Sequence, residues 1–177
     1  MASDFDVTGE DATDAATFEA QAREAFTDEK LPRALVLIDR AIELEPGSFD
    51  AWSFRAKILV ALDRGDEALV SIDRALELEP SDYDALAEKS GILSMLSQDL
   101  EGGLKYAKLA YDAMVASVAP ERRSDPEGDD FWAVENVYDN LYYALYRLGQ
   151  LDEAAKIRAE ASSYGHDFAE GVDDGDA

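Results

Sequence analysis

The chain has 177 residues, 47% of them hydrophobic, which suits one domain able to bury a core. Its 40 acids against 16 bases give a formal net charge of −24. That excludes a DNA or RNA backbone as partner, because binding one needs clustered positive charge. There is no cysteine, so disulfides and thiolate metal sites are excluded, and no apolar run reaches the ~18 residues of a membrane span.

In chain order, residues 1–14 carry Asp4, Asp6, Glu10, Asp11 and Asp14 without a base. They are expected to be disordered, and they hold acids where a secretory signal would hold lysine and an apolar segment. A cytoplasmic protein is therefore expected. Ala15 to Phe26 reads as a first helix, with a turn near Thr27–Leu31 and Pro32 suited to the first turn of the next helix. In that second helix Leu35, Ile38, Ala41 and Ile42 recur at helical spacing and form one apolar stripe, closed by Pro46. The stretch Ile38–Pro46 returns as Ile72–Pro80, 34 residues later, with Leu69, Ile72, Ala75 and Leu76 as its stripe. Phe49 to Leu62 leads into this copy, and the turn Asp63–Asp66 contains Gly65, expected to relieve the backbone there. A third pair follows, about Tyr83–Leu96 and Glu101–Val118, with one extra residue in its turn. Gly103, Ala107 and Ala110 then take the places of Ala68, Ile72 and Ala75. Pro120 to Gly128 reads as a loop. Asp129 or Asp130 is the expected N-cap of an aromatic-rich helix containing Phe131, Trp132, Tyr138, Tyr142, Tyr143 and Tyr146. Residues 148–154 form a turn, a last helix carries Ala154, Arg158 and Ala161, Gly165 ends it, and an acidic tail follows.

Helix, turn, helix, proline at a period of 34 resembles the tetratricopeptide repeat. Phe18, Ala22, Ala25, Ala34, Ile38, Ala41 and Pro46 fall at that family's marker positions in the first repeat. Trp52, Ala56, Leu59, Ala68, Ile72, Ala75 and Pro80 do so in the second. The resemblance implies an all-α, right-handed superhelix of antiparallel helix pairs, an α-α solenoid. Repeats are expected at 15–48, 49–82, 83–118 and 131–163, with a loop at 119–129. Acidic segments 1–14 and 164–177 flank this 15–163 domain. The fourth repeat departs from the pattern, with bulky Tyr142 where a small residue is usual.

Aspartate outnumbers glutamate, and six lysines stand against ten arginines. This resembles the proteins of salt-accumulating, haloarchaeal-like organisms, in which a Debye length of roughly 3 Å at 1 M salt screens self-repulsion.

Catalysis finds little support: the single histidine, His166, has no second histidine or cysteine to work with and is expected at the surface. Asp4, Asp6, Thr8 and Gly9 lack the twelfth-position ligand of a calcium loop. No phosphate loop or dinucleotide motif is present. No enzyme activity, cofactor or metal is expected. The resemblance instead implies that the first helix of each pair lines a concave groove. Groove candidates are Arg23, Phe26, Phe54 and Lys57 in the first two repeats, and Asn140, Tyr143, Tyr146 and Arg147 in the fourth. Such positive and aromatic spots suit an extended or helical partner peptide with an acid and an apolar anchor; the same aromatics also suit packing between repeats. Some relatives clamp the C-terminal carboxylate of chaperones. The corresponding places here hold Glu19, Arg23, Phe54, Asp84 and Glu88, and the last two acids would repel such a ligand. The expected function is a non-catalytic protein-interaction scaffold. The alternatives are a self-associating structural subunit, a homo-oligomer, or an accessory protein with a small-molecule groove.

Overall fold

Four of the described helices begin where a short polar side chain takes up a free backbone donor. The computed structural model describes residues 14–128 and 130–166; the acidic stretches 1–13 and 167–177, and Asp129, lie outside the described residues. Two compact units divide after Pro80. The first contains α1 (Ala15–Thr27), α2 (Leu31–Leu44), α3 (Phe49–Ala61) and α4 (Gly65–Leu78). The second contains α5 (Tyr83–Gly91), continued by a π-helical turn (Ile92–Leu96), then α6 (Leu100–Ser117), α7 (Pro120–Arg123), α8 (Phe131–Arg147) and α9 (Leu151–Ser163). The described residues form no strand.

Asp14, Ser48 and Asp82 cap α1, α3 and α5, each accepting from a backbone N–H three residues on. In the first unit, consecutive helices pack on one another from α1 to α4. Their contacts are made by the small positions of the repeat: Ala22, Ala34, Ala41, Ala56, Ala68 and Ala75 are all fully buried. Ile38, Leu59 and Ile72 fill the space between them. A polar tie crosses this core. Arg55 on α3 donates to Asp39 of α2 at 2.7 Å and to Ser71 of α4 at 2.6 Å, and Ser71 donates on to the Glu67 carbonyl.

The turns correct one expectation. Gly65 does not relieve the backbone: it opens α4, and the left-handed residue is Asp63, with φ 58°. Glu29 occupies the same place in the first turn, with φ 59°. Both close Schellman motifs, in which Lys30 N–H reaches the Ala25 carbonyl and Arg64 N–H the Leu59 carbonyl. Gly149 repeats the arrangement before α9 with φ 73°, where glycine meets the demand without strain.

In the second unit α5 packs on α6 and α8, α6 on α8, and α8 on α9. The α5–α6 hairpin is closely packed at Gly103. A Cβ on Gly103 would lie 1.9 Å from Ser94 Oγ, and Ser90 donates to the Gly103 carbonyl at 2.8 Å. The extra residue expected in this turn is absorbed within the helix: the Ser97 N–H bonds back five residues to Ile92. Segment 119–129, expected as a loop, contains the single turn α7. Asp130 does not cap α8 with its side chain. Its carboxylate is taken instead by the Tyr83 hydroxyl at 3.0 Å and by Arg122.

His166, expected at the surface, is 1% exposed. Gly165 (φ 85°) turns the chain left-handed after α9, and His166 N–H bonds the Ala161 carbonyl, completing another Schellman motif. The residue after the glycine of such a motif folds back onto its helix, and here it enters a slot between Phe131 and Tyr138, with ring centroids 4.5 and 5.7 Å away. Its Nε2–H donates to the Arg123 carbonyl at 2.7 Å, which can only accept. Nδ1 is left buried without a hydrogen-bond partner among the described residues. Arg123 is also buried, and its guanidinium donates to the carbonyls of Val118 and Val115 at the end of α6. Glu160 of α9 accepts from the hydroxyls of Tyr111 and Tyr138. Burial, reinforced by that bond, pushes the Tyr111 hydroxyl up to about 12.

Replacing a strained left-handed residue by glycine should stabilise the fold. Glu29→Gly and Asp63→Gly are each expected to raise unfolding free energy by roughly 0.5–1 kcal/mol in urea titrations. By contrast, His166→Ala is expected to cost roughly 2–4 kcal/mol, seen as faster amide exchange along α9 than along α2.

Candidate binding surface

The candidate residues fall in both units, and each unit is described by itself. In the first, α1 and α3 bring three of the four together. The Arg23 guanidinium lies over the Phe54 ring, 4.5 Å from its centroid, and Phe26 meets the same ring edge-on at 5.4 Å. Phe54 is buried, Phe26 half-buried and Arg23 exposed, so a cation sits on an aromatic base fixed in the core. Arg23 makes no ion pair among the described residues. Glu19, one turn before it, is engaged by the Ser48 hydroxyl at 3.1 Å. Most other bases on this unit are paired, Arg40 with Glu43, Arg55 with Asp39, Arg64 with Glu67, Arg74 with Glu77 and Lys30 with Asp28, whereas Arg33, like Arg23, makes no ion pair among the described residues. Lys57 is exposed one turn beyond Phe54 and has an interaction of its own.

In the second unit the four candidates divide by role. Asn140 is buried: its amide donates to Asn136, and its carbonyl oxygen would lie 2.9 Å from a Cβ placed on Gly91. It therefore packs α8 against α5. Tyr146 stacks on Tyr142 at 5.9 Å and leans on the cluster of Ala107, Leu141, Leu145 and Ala154. Tyr143 and Arg147 face outward as a pair, with the guanidinium bonded to the phenol oxygen and 5.4 Å from the ring centroid. Ser94, in the π-helical turn, is buried, and Gly91 at the end of α5 lies against Asn140.

Sequence reasoning passed over Trp132 and Asp139. Trp132 is 72% exposed, the most exposed of the large hydrophobic side chains described. Asp139 stands one turn beyond Glu135 on α8; burial first, and the Glu135 charge second, push its carboxyl up to about 6. Its side chain is nonetheless exposed by accessible area, so water screens part of that penalty. The i, i+4 repetition of acids was the available signal.

Among the described residues no group of three or more histidine, cysteine, aspartate or glutamate side chains could hold a metal ion. None of the described helices is long and apolar enough to cross a membrane. A polar recess of about 190 Å³ between Gln21, Glu24, Asp28, Lys30 and Arg33 lies at the α1–α2 turn. It does not include the Arg23 stack.

A raised carboxyl favours the fold while protonated and opposes it once ionised. Asp139 therefore lowers stability as pH rises from the ordinary carboxylate range through about 6. Asp139→Asn should be more stable than the parent above that pH. The difference should vanish near pH 4, in urea midpoints measured at both values.

Comparison with known proteins places this geometry. Residues 25–89 match the model of the tetratricopeptide repeat family. No curated protein matches the chain significantly. Among solved structures, the ArsTM double mutant of MamA RS-1 aligns with TM-score 0.70 at 16% identity, over 88% of this chain and 78% of that one. MamA 41-end from Desulfovibrio magneticus RS-1 aligns with TM-score 0.69 at 16% identity, over 86% and 76%. A further MamA crystal structure gives 0.70 at 13% identity, over 88% and 81%. At such identities the likeness is one of fold, and the fold is the helical repeat of the tetratricopeptide type.

Proposed function

We propose that the chain is a non-catalytic scaffold that holds a segment of a partner protein against the first helices of its pairs. The observation that carries this reading is the Arg23–Phe54–Phe26 stack. An exposed guanidinium without a carboxylate partner among the described residues lies over a core ring, in a chain where acids far outnumber bases. Such a fork is oriented before binding, so less side-chain freedom is lost when a carboxylate arrives. Phe26 beside it offers an edge for an apolar side chain. Tyr143 and Arg147 supply a comparable cation–aromatic pair in the second unit. The partner segment on this reading carries an acid next to an apolar anchor.

The excess of acids is read as adaptation to the cytoplasm of a salt-accumulating organism, where screening removes the self-repulsion of a −24 chain.

Affinity capture from a native, high-salt lysate tests the surface. Arg23→Glu/Lys57→Glu/Tyr143→Ala should lose the protein that the parent captures, while its circular dichroism stays helical. Equal capture by both would place the interaction elsewhere. The melting temperature should climb steadily as potassium chloride rises from about 0.1 to 2 M, over which the Debye length falls from about 10 Å to below 3 Å; a flat curve removes the salt adaptation.

A further inference from the structure

Part of the outward face of α8 is left uncovered by the other described residues of the second unit. At 3.6 residues per turn, Val134, Val137, Leu141 and Leu145 point into the core, all of them buried. Asn136 and Asn140 turn to α5, through Asp84 and Gly91. Tyr138 reaches Glu160 of α9, and Tyr142 packs beside Ala154. The remaining stripe runs through Trp132, Glu135 and Asp139 toward Tyr143. Trp132 touches Phe131 edge-on at 5.6 Å and otherwise faces solvent. Glu135 and Asp139 repel one another from adjacent turns, and neither forms an ion pair among the described residues.

Among the described residues no base pairs with this face: Lys105, Lys156 and Arg158 form no ion pair with Glu135 or Asp139. Arg147, the one base on α8, is turned onto Tyr143. Arg122 is held by Asp130, Lys108 by Glu153, and Arg123 is buried. The stretches 1–13 and 167–177 contain no lysine or arginine, so neither can neutralise the stripe. A second copy would bring its own net charge of −24 against these carboxylates. What complements an indole flanked by two carboxylates is a lysine or arginine side chain. The cation can lie over the ring, tryptophan being the strongest aromatic partner for one, with its hydrogen bonds directed to the acids.

We infer that the Trp132–Glu135–Asp139 face of α8 docks a basic segment of a partner protein. This goes beyond the Arg23 surface, which takes an acidic segment, and it stands or falls separately from it.

The test uses the full chain and a labelled peptide of alternating alanine and arginine, with an alanine–glutamate peptide as counter-probe, followed by fluorescence anisotropy. The arginine peptide should bind and the glutamate peptide should not. Trp132→Ala, which changes no charge, should weaken binding about fivefold, the scale of one cation–aromatic contact. Glu135→Gln/Asp139→Asn should weaken it about tenfold. The charge-matched control Asp63→Asn/Asp66→Asn, in the first unit, should change it less than twofold. Arg23→Glu should leave it intact, which separates this face from the acid-binding one. Circular dichroism and melting curves confirm that each variant folds. No binding by the parent, equal losses in control and face variants, or an unchanged Trp132→Ala would each overturn the inference. So would a concentration-dependent dimer, seen by sedimentation, that Trp132→Ala abolishes, since the face would then be a contact between copies.

Discussion

Two helices can approach most closely only where the residues at their crossing are small. That constraint recurs through this chain. Ala22, Ala34 and Ala41 meet it in the first pair, Ala56, Ala68 and Ala75 in the second, and Ala87, Ala107 and Ala110 in the third, all fully buried. At Gly103 even a methyl group is excluded, because Ser94 already fills the space. Each crossing fixes the distance between helices, and larger neighbours such as Ile38, Leu59, Ile72 and Met114 then pack to that distance. In the last pair, bulky Tyr142 packs in one cluster with the small Ala154 of the partner helix.

Polar groups inside this apolar frame act as ties between elements adjacent in space and separated in sequence. Arg55 joins three helices of the first unit, and Ser71, one of its two acceptors, is itself held by the Glu67 carbonyl. Around Arg123, His166, Tyr111, Tyr138 and Glu160, a second set fastens the end of α9 to α6, α7 and α8. Such networks stabilise only when nearly every member is satisfied, and the lone exception in this set among the described residues is His166 Nδ1. Carbonyls at the end of α6 that would otherwise need water are taken by a guanidinium, which suits a chain with few bases to spare.

Much of this fold was legible in the sequence because the signal was repeated. The near-copies ending at Pro46 and Pro80, with alanines at matching offsets, placed α1 to α4 to within a residue or two. What escaped were features decided by geometry and not by composition. Gly65 stands in a turn, yet the left-handed conformation falls two residues earlier, on Asp63, where the Schellman bonds require it. Asp130 sits where an N-cap belongs, yet Tyr83 and Arg122 compete for its carboxylate. His166 looked exposed because its sequence neighbours are acidic, and a position just after the glycine of a helix-ending turn was the overlooked clue. The capping residues Asp14, Ser48 and Asp82 share the 34-residue period and were readable in principle. The candidate surface was less legible: Phe54 and Arg23 had the right types, but only three-dimensional contact shows that one supports the other. An exposed tryptophan such as Trp132 cannot be told from a buried one by spacing alone.

The π-helical turn at Ile92–Leu96 bears on how this chain tolerates change in length. A repeat built on a fixed period has no slack, since one added residue rotates every later side chain by about a quarter turn. Widening the backbone ladder for a single turn takes up that residue before α6 begins, and Gly103 still arrives against Ser90 and Ser94. The third pair thus behaves as an expansion joint. Insertions can be absorbed there while the faces on either side keep their register.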